Sequence, residues 1–139
     1  MIPTKYLRHY PNPNTMDPAL ENAFENAIQR EESKRGIQDW RASAQLFRVF
    51  LSVTNKRLSL LDLNRNQDIL IKRYVGFVTQ ETGGSTKSPI SKFNIFRALL
   101  RSVYTDLGVQ APAFPVCSST HVTEEVHECI RMYLDGERN

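Results

Sequence analysis

Cys117, His121, His127 and Cys129 are the residue types that hold zinc. Their spacing argues against a zinc site, because His127 and Cys129 lie two apart in a segment of helical pattern and so point to different sides. Gly83-Gly84-Ser85-Thr86-Lys87 has the composition of a phosphate-cradling loop. It lacks the full Gly-x-x-x-x-Gly-Lys-Ser/Thr pattern and the strand that should precede it. The sequence therefore implies no metal and no cofactor. What remains is charge. No Asp or Glu occurs between Glu81 and Asp106, so nothing nearby in sequence neutralises Lys87, Lys92, Arg97 and Arg101. A basic helix with a polar, lysine-containing lead-in suits a phosphate-bearing partner.

The net charge of +3 conceals a strong division along the chain. Residues 1–33 hold three bases and five acids, residues 34–108 thirteen bases and five acids, and residues 109–139 two bases and five acids. Such unevenness marks an interaction face, the alternative being an evenly solvated basic surface. With 139 residues and 40% hydrophobic content, the chain fits one domain with a real core and an appended arm. No apolar run approaches the ~18 to 20 residues of a membrane span, and residues 1–14 lack the apolar middle of a signal peptide. The expectation is a cytoplasmic, nucleoid-associated protein without a membrane partner. Two cysteines make no disulfide framework, which fits a reducing compartment.

Helices must position these charges. Pro3, Pro11 and Pro13 predict irregular chain over residues 1–15. Asp17-Pro18 reads as N-cap and first residue of a helix to about Glu32, with Leu20, Phe24, Ala27 and Ile28 on its apolar stripe. Its acids Glu21, Glu25, Glu31 and Glu32 disfavour DNA contact, leaving packing on its own domain or on a second protomer. Ser33-Lys34-Arg35-Gly36 reads as a break. From about Gln38 to Val53, Ile37, Trp40, Ala44, Phe47 and Leu51 recur at helical spacing, with Arg41 and Arg48 away from the stripe. A basic turn, Thr54-Asn55-Lys56-Arg57, follows; solvation or a phosphate contact explains it equally well.

The next predicted helix spans about Gln67 to Gln80 with Asn66 as N-cap. Leu70, Ile71, Tyr74, Val75, Phe77 and Val78 share one face, with Arg65, Ile69, Lys72, Arg73, Gly76 and Gln80 opposite. Gly83 and Gly84 break it. Ser88 as cap and Pro89 as first residue open another helix, in which Phe93, Phe96, Leu100, Val103 and Leu107 alternate by three and four. Lys92 projects nearer that apolar side, while Asn94, Arg97 and Arg101 take the far side. Gly108 ends this helix, Pro112 and Pro115 mark a connector, and Thr123 caps a final helix with Val126, Ile130, Tyr133 and Leu134 on its apolar side. The fold class is all-α, a small bundle of four to five helices. The segments are a 1–36 arm with an acidic helix, a 37–108 helical domain, and a 109–139 linker with a helix that looks like the start of a further element.

This order of parts resembles the N-terminal core-binding domain, with its SAM-like helical fold, of tyrosine recombinases, the phage-integrase family. Trp40-Arg41 with Leu46, Phe47, Phe50 and Leu51 carry the resemblance, together with Leu61-Asp62-Leu63, Gly83 to Lys87, and Phe93 to Arg101. His121 to Val126 is similar to the opening of that family's catalytic domain, and the likeness spans about Gln38 to Glu128. It implies a helical clamp on duplex DNA, with self-association of protomers on the DNA. The matching positions are Lys72, Arg73, Ser85, Thr86, Lys87, Arg97 and Arg101, of which Arg97 matches best.

The family's chemistry needs a tyrosine nucleophile, arginines, a lysine and a His-x-x-Arg motif to stabilise charge on the phosphate. Here His127 and Arg131 are four apart, and Tyr133 lies on an apolar side. The resemblance thus implies a non-catalytic part, with catalysis in a domain beyond it. The competing reading is a helical protein-interaction or oligomerisation module without DNA binding. A helix-turn-helix regulator ranks third, since about seven residues separate the two central helices, more than the usual three or four.

Overall fold

The computed structural model describes residues 15–54, 56–65, 67–81, 87–108 and 124–138. Among these residues the protein is an all-α bundle of six helices with no strand: α1 (Pro18–Gln29), α2 (Lys34–Val53), α3 (Leu60–Arg65), α4 (Gln67–Glu81), α5 (Lys87–Leu107) and α6 (Glu124–Arg138). The short α3 adds to the four or five helices expected.

Local chemistry accounts for the helix starts. Asp17 accepts the Leu20 N–H at 2.9 Å and Pro18 occupies the first turn, as the sequence predicts. The expected break at Ser33 to Gly36 is instead the opening of α2: Ser33 Oγ accepts the Gly36 N–H at 2.9 Å, and the helix runs on from Lys34. The three residues after the cap were misread because two charges and a glycine interrupt the apolar pattern. Ser59 and Asp62 form a capping box at α3, Asp62 N–H donating to Ser59 Oγ at 3.0 Å and Ser59 N–H to the Asp62 carboxylate at 3.1 Å. Helix α5 begins at Lys87, so Ser88 and Pro89 sit within its first turn. The expected caps Asn66 and Thr123 lie outside the described residues, as do residues 1–14. Gly108, at φ 71°, closes α5 in the left-handed conformation that glycine adopts without steric cost.

An aromatic chain joins the helices. Phe47 of α2 stacks on Phe24 of α1 with centroids 6.0 Å apart, and lies 5.0 Å from Phe96 of α5 and 5.4 Å edge-on from Tyr74 of α4. Tyr74 and Phe96 are 4.4 Å apart, and Phe77 of α4 meets Tyr133 of α6 edge-on at 5.4 Å. Each such pair adds about 0.5–1.5 kcal/mol beyond the apolar area it buries. Helix α1 thus packs against α2 and α5, so of the two settings the sequence left open for it, the structure has it within its own chain. Trp40 stands half-buried at the margin of this core, where Phe47 fills its centre.

Helix α4 departs most from expectation. Its supposedly outward face is half covered: Ile69, Lys72 and Gln80 are exposed, whereas Arg73 is only 8% exposed and Gly76 is buried. The cause is α6, which packs along α4 so closely that a Cβ on Gly76 would collide with the Cys129 carbonyl oxygen. Val126, Cys129 and Tyr133 fill that contact. No helix among the described residues is long and apolar enough to cross a membrane.

Candidate nucleic-acid interface

The bundle sorts its cations into two groups. In the first, arginines are bound to acids of the same chain. Arg41 grips Glu25 with two hydrogen bonds, of 2.9 and 3.0 Å, and Arg48 grips Glu21 with two, of 2.6 and 3.0 Å. Arg30 pairs with Asp106 and donates to Ser102 across to α5. Arg131 lies against Glu128 and Glu124 within α6. The Arg41 hydrogen bond holds the Glu25 carboxyl below its ordinary value, partly opposed by desolvation. These pairs tie the acidic helix α1 to α2 and α5 and remove Arg41 and Arg48 from the charge open to a ligand.

In the second group no carboxylate partner occurs among the described residues. It includes Lys72 on α4, Arg97 and Arg101 on α5, Lys56 and Arg57 in the turn between α2 and α3, and Lys34 and Arg35 at the start of α2. Lys72 and Arg101 are exposed. Arg97 is half-buried and donates to Asn94 Oδ1 at 3.0 Å, which holds its guanidinium along the helix surface. Four residues separate Arg97 from Arg101, so they share one side of α5. Lys92 is half-buried, consistent with its predicted place near the apolar side. Ser85 and Thr86 lie outside the described residues, and so does the side chain of Lys87, the first residue of α5.

Arg73 corrects the sequence reading, which set it on an outward basic face beside Lys72. It is buried, and its Nε has no hydrogen-bond partner. Periodicity assigns α4 a single covered face; α6 on one side and the turn before α3 on another cover more of it. Arg73 instead lines a cleft of about 400 Å³ with Lys56, Arg57, Leu58, Asp62, Ile69 and Leu70. Sequence reasoning singled out the basic turn but did not join it to Arg73. The readable sign was Ser59-x-x-Asp62, a capping signature that brings the turn onto a new helix just before α4.

The residues with chemistry near the C-terminal end take structural places. Tyr133 is fully buried against Phe77, and Cys129 is buried while His127 is exposed on the other side of α6. Cys117 and His121 lie outside the described residues. No family model matches the chain, and neither a curated protein nor a solved structure matches it.

Proposed function

We propose that the chain is a DNA-binding helical module that positions duplex DNA through phosphate contacts. In this reading it acts as the core-binding part of a site-specific tyrosine recombinase for DNA integration or recombination, with catalysis in a separate domain. The observation that carries the reading is the sorting of charge. Acids of the chain neutralise Arg30, Arg41, Arg48 and Arg131, while Lys72, Arg97 and Arg101 keep theirs free of any carboxylate among the described residues. Unpaired cations on helix surfaces suit phosphates, and each phosphate neutralised releases condensed counterion. Ser85, Thr86 and Lys87 belong to the same reading as the lead-in to α5, protomers associate on the DNA, and the protein resides with the nucleoid.

Titration against random-sequence duplex DNA at several salt concentrations tests this. Affinity is expected to fall steeply with salt, and Arg97→Ala with Arg101→Ala to weaken binding and flatten the log–log salt slope by about 2 with helicity unchanged. Full affinity in the double variant, or no binding at low salt, would overturn the reading. A second reading has one observation in its favour: Leu61 and Ile69 are each 56% exposed, as in a helical module that docks on another protein. A sharp dimer in solution without DNA affinity would favour it.

A further inference from the structure

Arg73 is more than nine-tenths buried, and its Nε is buried with no hydrogen-bond partner. A buried charge without a partner is costly, and native proteins seldom keep one without a use. Its side chain forms part of the wall of the cleft, whose mouth carries the exposed cations Lys56 and Arg57. Among the described residues of the wall the acid is Asp62, engaged at its carboxylate by the Ser59 N–H of the capping box. Among the described lining residues, three positive charges thus stand with one negative charge.

The backbone fixes this arrangement in advance. Lys56 N–H donates to the Leu51 carbonyl at 2.8 Å, at the end of α2. Two residues on, Leu58 N–H donates to Thr15 O at 2.8 Å and Leu58 O accepts the Asp17 N–H at 3.0 Å, forming a parallel bridge to the segment before α1. The turn bearing Lys56 and Arg57 is thus held on both sides, so little ordering is left for a ligand to impose. A guanidinium in such a setting offers a planar fork of donors that matches phosphate oxygens. The cleft is larger than a phosphate needs, and Leu58, Ile69 and Leu70 give the remainder an apolar wall.

We propose that the cleft between the α2–α3 turn and α4 is a binding site for a phosphate group, with Arg73 as its buried anchor and Lys56 and Arg57 as its outer cations. The phosphate belongs either to a small phosphorylated molecule whose apolar part lies on Ile69 and Leu70, or to a nucleic-acid backbone. The proposal does not depend on the DNA reading, which rests on other residues.

The test is an NMR titration of the full chain with inorganic phosphate, read at the Arg73 Nε–Hε resonance and at the backbone amides of residues 56–62, with chloride at matched ionic strength as control. A saturable shift with phosphate and none with chloride is expected. Lys56→Gln with Arg57→Gln, both at exposed positions, should weaken phosphate binding about tenfold or more, an amount within the range of charge-assisted hydrogen bonds, and leave the thermal midpoint without phosphate unchanged. Arg73→Met should abolish the amide shifts. Should it fail to fold, the Lys56/Arg57 variant alone decides the matter. The Arg97/Arg101 variant should bind inorganic phosphate as the parent does. A short duplex that produces the same saturable shift assigns the phosphate to a nucleic-acid backbone, whereas a shift from inorganic phosphate alone assigns it to a small ligand. No saturable shift up to tens of millimolar phosphate, or unchanged affinity after Lys56→Gln and Arg57→Gln, would overturn the proposal.

Discussion

Two tyrosines of similar burial illustrate what a single hydroxyl does inside this bundle. Tyr104 donates to the Leu63 carbonyl at 3.0 Å, linking α5 to α3, whereas the Tyr74 hydroxyl is buried with no partner of acceptable geometry, Ser43 being its polar neighbour. Burial also pushes the Tyr74 phenol up from its ordinary value, so it stays neutral where surface tyrosines ionise. Tyr104→Phe removes this hydrogen bond and should cost about 1 kcal/mol in urea unfolding. Tyr74→Phe removes an unsatisfied group and should be neutral or stabilising by up to about 1 kcal/mol in the same measurement. Burial was legible in the sequence for Tyr74, which falls on the apolar face of α4, and less directly for Tyr104, which flanks the stripe of α5. Which hydroxyl finds a partner was not, because Leu63 is 41 residues away from Tyr104. Arg73 failed for a related reason: its angular position on α4 was read correctly, but angle says nothing of what a distant helix covers.

The helices themselves were largely legible, because stripes at spacings of three and four mark α1, α2, α4, α5 and α6 with few errors beyond their ends. Contacts between helices depend on smaller signals. Gly76, read only as a member of the outward face of α4, is the point where α6 comes closest, and a methyl there would collide with the Cys129 carbonyl. Backbone cannot yield as a flexible side chain does, so Gly76→Ala must push the helices apart. The expected cost is about 1–3 kcal/mol, the usual range for overpacking, measured by chemical denaturation. The two residues buried beside it, Val126 and Tyr133, were visible in the α6 stripe. Cys129 was not, since its type suggested a ligand before it suggested packing.

At the scale of the bundle, the described residues sort their charge: some arginines are neutralised by acids of the chain, and other cations are left without a carboxylate partner. The Glu25–Arg41 pair belongs to the neutralised set and makes a pH-dependent contribution. Because the folded Glu25 carboxyl titrates below its ordinary value of 4.5, its stabilisation is present above that value and is lost as pH falls through the lower folded one. Glu25→Gln should therefore shallow the decline of stability on acidification. The difference should be small and shrink with added salt, since both side chains are substantially exposed. Net charge by segment was legible in the sequence. The pairing that decides which cations stay available was not, as it joins residues 16, 27 and 72 positions or more apart.

The close seating of α6 on α4 also turns Cys129 into an internal clock. Cys129 is 1% exposed and lies in the contact, so an alkylating reagent can reach its thiol only while the two helices are parted. The rate at which that thiol is modified under native conditions, resolved by peptide mapping from Cys117, then measures how often α6 lifts away from a core whose other helices stay closed.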